Sequence, residues 1–199
     1  KENKNFILEQ TQLSESQYQS LLTDAKKEQE QANAEISQLE RTVRQKLAQL
    51  EASRPKNNQD KANSTSVFIW PVPKNRINAY FHDPDYPFRN VFEHPAVDIR
   101  AAQGTPIVAA ANGYVAAAKD AGMGYSYIMI VHDNGLATVY GHVSKIVVKE
   151  EDYVTAGQLI GYSGGTPGTP GAGKMTTGPH LHFEVRLNGI PVDPLAYLP

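Results

Sequence analysis

Apolar positions along the chain fall into two textures that change near residue 66. Before it, Tyr18, Leu21, Leu22, Ala25, Ala32, Ile36, Leu39, Val43, Leu47 and Leu50 recur mostly three or four apart. That spacing lines one face of an α-helix. Residues 1–54 hold no Gly and no Pro, and good helix formers fill the positions between the stripe. From Ile36 to Leu50 the pattern approaches a heptad, with Glu40, Arg41, Arg44 and Lys46 available to flank it. About 48 helical residues at ~1.5 Å each reach roughly 70 Å, too long to pack wholly on a small domain. The pattern therefore predicts a helical coiled-coil arm over 1–54 that pairs with another helix or with a partner. Its role is a spacer or an oligomerisation or regulatory arm. The weakly patterned run Glu28-Gln29-Glu30-Gln31 marks a possible break between two helices.

Residues 55–66 are polar with no large apolar residue, and read as a linker. Residues 67–199 read as a second domain. There, Gly and Pro punctuate short β-branched and aromatic runs: Val67–Trp70, Pro106–Ala109, Gly113–Val115, Tyr127–Val131, Ala137–Tyr140, Ile146–Val148, Gln158–Tyr162 and His180–Leu187. This texture predicts a mainly β, antiparallel domain. Asp133-Asn134-Gly135 and Asn188-Gly189 are turn signals, the first a strong hairpin signal.

Composition narrows the chemistry. The net charge of -2 over 199 residues gives no support for a nucleic-acid partner. The absence of cysteine excludes disulfides, thiolate metal sites and cysteine nucleophiles. No apolar run approaches the ~20 residues of a membrane span. The start at Lys1, without a leader, fits a processed or trimmed fragment.

His180-Leu181-His182-Phe183-Glu184 is the chemical centre of the pattern. On a strand, His180 and His182 share one face while Leu181 and Phe183 turn to the core. His94 and Asp98 form a second cluster. Four residues apart on a straight strand is ~13 Å, so co-ligation requires a bend at Pro95, with Asp98 opening the strand. His142 follows Gly141 at a strand end, where Gly permits an unusual backbone or a close approach. His94, Asp98 and one histidine of the 180/182 pair would supply the three N/O ligands of a catalytic zinc site. The remaining histidines would move protons or stabilise an oxyanion. No Ser-His-Asp elbow and no His-Glu-x-x-His occurs.

His94-x-x-x-Asp98, Gly141-His142 and His180-x-His182 resemble, in order, the three motifs of the zinc endopeptidases of the lysostaphin and LytM type, peptidase family M23. The resemblance covers about residues 68–199. It implies a twisted antiparallel sheet with a groove on one face, and hydrolysis of peptide bonds in bacterial peptidoglycan. It implies Zn2+ held by His94, Asp98 and His182, with His142 and His180 as catalytic histidines. It also implies an exported protein of the periplasm or outer cell wall. Ala96 stands where relatives carry Gly, and Val143 where Leu is commoner. A tyrosine that stabilises the transition state in many relatives corresponds to Tyr86 or, second, Tyr80. The segment 164–176 is longer than in compact relatives and is expected as a mobile wall of the groove. A helical arm before such a domain also resembles the murein hydrolase activators of cell division. Their degenerate domain binds an amidase without cutting, but it lacks the zinc ligands this chain keeps. A third reading has the arm occlude the groove or dock to a membrane or division complex.

Other features carry less. Gly168 to Lys174 matches the start of a phosphate-binding loop, but Met175 replaces the Ser/Thr and no helix pattern follows. His132 reads as a turn-flanking surface residue, His82-Asp83-Pro84-Asp85 as a polar loop, and Trp70 as core or cover.

Overall fold

The computed structural model describes residues 2–53, 68–74, 76–90, 92–174 and 176–199. The expected linker at 55–66 lies outside the described residues. Among the described residues one α-helix, α1 (Glu2–Ser53), runs unbroken through positions 28–31, so the expected break is absent. Gln and Glu are good helix formers, and nothing there interrupts the backbone ladder.

Among the described residues eleven strands follow: β1 (Ile77–Ala79), β2 (Val97–Arg100), β3 (Pro106–Val108), β4 (Gly113–Lys119), β5 (Tyr127–Val131), β6 (Leu136–Gly141), β7 (Val143–Ile146), β8 (Tyr153–Val154), β9 (Leu159–Ser163), β10 (His180–Leu187) and β11 (Ile190–Val192). They form an antiparallel sheet ordered β1-β2-β10-β6-β5-β4-β8, with β11 also on β10, and a small sheet β3-β9-β7. The predicted turns are real. Asn134 and Gly135 have φ of 57° and 77°, and Asn188 and Gly189 have 52° and 87°. Two consecutive positive φ values suit a tight hairpin.

Alternation sorts the large sheet into two faces. Ile128, Ile130, Tyr140, Leu181, Phe183 and Val185 point into the core between the sheets. Tyr127, Met129, Val131, Ala137 and Val139 point the other way, under α1. This explains why β5 reads as an unbroken apolar run: both of its faces are covered.

Ala32 and Ile36 of α1 are buried on that second face, with Leu39, Val43 and Leu47 beside them. The stripe expected to pair with another helix docks on its own sheet instead, and no second α-helix occurs among the described residues. The apolar face of β5 and β6 needs cover, and burying a residue such as Ile36 contributes about 1.5–3 kcal/mol. Glu40, expected to flank the heptad, is buried and pairs with Arg186 and Arg44. Tyr18 and Leu21, further up the stripe, stay exposed.

Of the expected strand at 67–70, Val67 lies outside the described residues and Phe68 to Trp70 are irregular. Phe68 still fills the core. Its N–H donates to Tyr197 O at 2.9 Å, and Trp70 Nε1 donates to Pro199 O at 2.9 Å. Pro71 and Pro73 forbid a continuous ladder. Trp70 thus covers the core, as expected.

Candidate metal centre and groove

The register of three neighbouring strands builds the site. His182 pairs with Asp98 of β2 on one side and with Gly141 of β6 on the other. Alternation turns His180 and His182 to the face shared with α1. His142 has a left-handed φ of 56° and sits where the chain leaves the large sheet for the small one. Such a φ in a histidine is uncommon and clusters at functional sites. A Cβ at Gly141 would overlap the Tyr125 hydroxyl, so the close approach expected of Gly141 is real. It lets the Tyr125 ring lie 5.1 Å from His142 and 6.1 Å from His182, centroid to centroid.

His94 precedes β2, which begins at Val97 after Pro95. The chain bends there as required. His94 Nε2 lies 3.2 Å from Asp98 Oδ1, and His182 Nδ1 lies 3.0 Å from the same oxygen. The three side chains offer ligand atoms all within 4.8 Å of one another. Bond lengths of ~2.0–2.2 Å in a tetrahedral zinc site put ligand atoms roughly 3.3 Å apart. The donor set therefore fits a zinc-sized ion with little movement.

Groups behind the ligands aim them. His94 Nδ1–H donates to Tyr80 O at 2.9 Å, which turns Nε2 towards Asp98. His182 Nε2 faces Glu184 Oε1 at 3.5 Å; both atoms are buried and make no hydrogen bond. Glu184 is held in turn by Arg186 Nη1 at 2.8 Å. Burial would raise the Asp98 carboxyl, but the hydrogen bonds with His182 and His94 overcome it and hold it well below the carboxylate range. Burial likewise opposes charge on His182, yet Asp98 and Glu184 win and lift it to about 9. Two buried carboxylates thus favour a cation at this spot.

The two other histidines repeat the arrangement of His94. His142 Nδ1–H donates to Ala172 O at 2.9 Å, and His180 Nδ1–H donates to Gly178 O at 2.7 Å. Each thereby turns Nε2 away from the backbone, His180 Nε2 facing Asp98 Oδ2 at 3.6 Å, and the two rings are 4.5 Å apart. Burial, then the neighbouring His180 and His182, hold His142 well below its ordinary value, so it is neutral at pH 7. Tyr86 stacks on His94 at 4.4 Å. Burial and the Asp98 charge push its hydroxyl up, so it remains a donor. Tyr80 is exposed and contributes only its carbonyl.

On the His180 side lies an open cleft of about 340 Å³ lined by Tyr86, Phe88, Asp98, Arg100 and Thr177 among others. On the His142 side, Ala25, Glu28 and Gln29 of α1 close the space to a cavity of about 20 Å³. Of the segment 164–176, Ala172, Gly173 and Lys174 wall this side. This stretch is pinned rather than free: Ala172 bridges to Tyr125, and Gly171 N–H donates to Gly122 O at 2.7 Å.

All five expected site residues, His94, Asp98, His142, His180 and His182, come together. His132 is the misreading. It is buried, with Nδ1 2.8 Å from Asn112 O and Nε2 2.8 Å from Thr138 Oγ1. Two internal partners let an imidazole replace its water shell. Tyr125, Glu184, Arg186 and Glu28 escaped sequence reasoning. The only signal among them was Glu184 and Arg186, which continue the His180/His182 alternation.

Two histidines and an aspartate that could hold one metal ion, set on an antiparallel sheet, are what these strands bring together. The match to the family model for peptidase family M23 spans residues 92–194, and the chain belongs to that family. Its fold is the mainly β, antiparallel type that the motifs implied. DD-carboxypeptidase/endopeptidase Mpg of Neisseria meningitidis serogroup B is 36% identical over 129 residues, 64% of this chain and 28% of that protein. Murein hydrolase activator NlpD of Salmonella dublin is 38% identical over 104 residues, 52% of this chain and 26% of that protein. A solved zinc containing peptidase from Vibrio cholerae superposes with a TM-score of 0.57 at 32% identity, over 67% of this chain and 41% of that one. The chain thus spans under a third of the length of the two curated relatives. No helix among the described residues is long and apolar enough to cross a membrane.

Proposed function

We propose that the chain is a zinc-dependent endopeptidase acting on the peptides of bacterial peptidoglycan, in the periplasm or outer wall. The observation that carries this reading is the convergence of His94, Asp98 and His182 beside two histidines whose Nδ1 atoms are held by backbone carbonyls, so that their Nε2 atoms point the other way. Zinc held by those three residues would polarise the scissile carbonyl and lower the pKa of bound water to ~7. Neutral His142 suits proton acceptance at Nε2. His180, across the ring contact, suits proton transfer to the departing amine. Tyr86, kept protonated, suits hydrogen-bond donation to the developing oxyanion.

The test is metal content and sacculus digestion with two variants. His182→Ala is expected to lose zinc and activity together. His180→Ala is expected to keep zinc and lose turnover by a factor of about 10²–10⁴, the usual worth of general acid–base catalysis. Full hydrolysis by His180→Ala would overturn its role. The likeness to a murein hydrolase activator supports a second reading, in which the domain binds an amidase. Zinc-loaded protein that releases nothing from sacculi, yet stimulates a cell-wall amidase, would favour that reading.

A further inference from the structure

Past the histidines the groove runs to the connections at 120–126 and 171–174, and α1 crosses it there. Glu28 reaches down from the helix. Its Oε1 accepts from Tyr125 N–H at 3.1 Å and its Oε2 from Lys174 N–H at 3.0 Å. The donors belong to separate connections, locked together by the Tyr125–Ala172 bridge. A glycine precedes each donor. A Cβ on Gly124 would stand 3.1 Å from Glu28 Oε1, and one on Gly173 3.4 Å from Oε2. The cradle is thus backbone on both sides, with room for one carboxylate. Lys174 Nζ, 3.2 Å from Asp24, adds a positive charge at its rim. Glu28 lines the same small cavity as His142 and His182.

Converging backbone N–H groups are a general means of recognising an anion. The docking of α1 does not depend on this contact, because its apolar seat runs from Ala32 to Leu47 and Glu40 anchors it on Arg186. Glu28 instead takes a position that a ligand in the groove would take.

We propose that the Tyr125 and Lys174 N–H groups form a carboxylate-binding subsite of the groove, and that Glu28 fills it in cis. The ligand class is a peptide with a free carboxylate close to the bond being cut. This rests on the endopeptidase reading for the identity of the ligand, but not for its binding. The helix then acts as a tethered competitor, and a peptide gains the subsite when Glu28 withdraws.

The test uses the zinc-loaded 199-residue chain, unaltered and as Glu28→Ala, Glu28→Gln and Glu28→Ala/Gly124→Ala. The probes are N-acetyl-alanyl-alanine and its C-terminal amide. The readout is the ¹H–¹⁵N shift of the Tyr125 and Lys174 amides. In Glu28→Ala the acid is expected to move both amides saturably. The amide form should bind about ten-fold or more weakly, having lost a charge-assisted pair of hydrogen bonds. The unaltered chain should bind the acid about ten-fold or more weakly, with Glu28→Gln in between. The added methyl at position 124 should abolish the response. Equal binding of acid and amide overturns the proposal. So does a response confined to residues around His94 and His182, which would place the carboxylate on the metal alone, or no response in any form. Hydrolysis does not enter the readout. An inactive protein that shows the shifts loses only the endopeptidase reading, and an active one without them loses only the subsite.

Discussion

The polar face of β10 has two ends that look alike in sequence and behave differently in the fold. At one end, His180 and His182 meet Asp98, and His180 borders an open cleft. At the other, Glu184 and Arg186 are as deeply buried, but beneath α1, where Glu40 and Ser37 complete the partners of Arg186. The same period-two alternation places all four side chains on one face. Histidines declare chemistry wherever they stand. A Glu and an Arg two apart read as solvated, and only the helix laid over them makes them internal. The groove floor is therefore one continuous surface, divided by its cover: α1 lies over Glu184 and Arg186 and reaches the His142 and His182 side, while the His180 side stays open.

The largest test of this division is Arg186→Met. Arg186 neutralises Glu184 at 2.8 Å and also bonds Glu40, Ser37 and the Gly189 carbonyl. Removing it leaves Glu184 buried without its cation. Losing one partner of a buried pair costs about 3–5 kcal/mol, read as a fall in urea-unfolding stability. Replacing Glu184 and Glu40 by Met and Leu in the same protein should restore most of that loss, because the desolvation cost goes with the charges. A cost below about 1 kcal/mol, typical of exposed pairs, would mean the two ends of β10 are equally wet and α1 does not lie there in solution.

His132 tests the same lesson away from β10. Burial holds it down to about 4, against an ordinary value of 6.5. The folded state therefore resists its protonation. Its contribution to stability is complete above pH 6.5 and is lost as the pH falls towards 4, by about 3 kcal/mol in full. His132→Gln should flatten that part of the stability–pH profile between pH 7 and pH 4. An unchanged slope would return His132 to the surface, where its turn-flanking position first suggested it belongs.

Much of the site was legible because its determinants are local. Pro95 announces the bend before Asp98, Gly141 announces the close approach, and His-x-His fixes a shared strand face. Asn134-Gly135 and Asn188-Gly189 announce their hairpins through positive φ. What was not legible depends on which surface meets which. A helical stripe states that Ile36, Leu39, Val43 and Leu47 need a partner, but not that the partner is β5 and β6. The heptad reading called for another helix or a partner and set Glu40 at the flank of that pairing. Tyr125 carries no periodic signal. Its role follows from the missing side chain at Gly141, on a different strand. Phe68 to Trp70 have strand-forming residues, yet Pro71 and Pro73 and the bonds to the C-terminal segment keep them irregular.

Glu184 stands at the boundary between the two ends and gives the subtlest prediction. Its Oε2 belongs to Arg186, on the helix side, and its Oε1 faces His182 Nε2, on the candidate metal side. A carboxylate behind a ligating imidazole fixes its orientation and raises its basicity. Glu184→Gln keeps the shape and an oxygen but removes the charge. Zinc affinity, measured by competition with a chromophoric chelator, should fall about 10–100-fold, while Asp98, His94 and His182 still bind. Glu184→Ala should cost fold stability as well, since Arg186 then loses its strongest partner. If Glu184→Gln binds zinc as tightly as the unaltered chain, Glu184 serves the helix alone, and the face of β10 divides between His182 and Glu184.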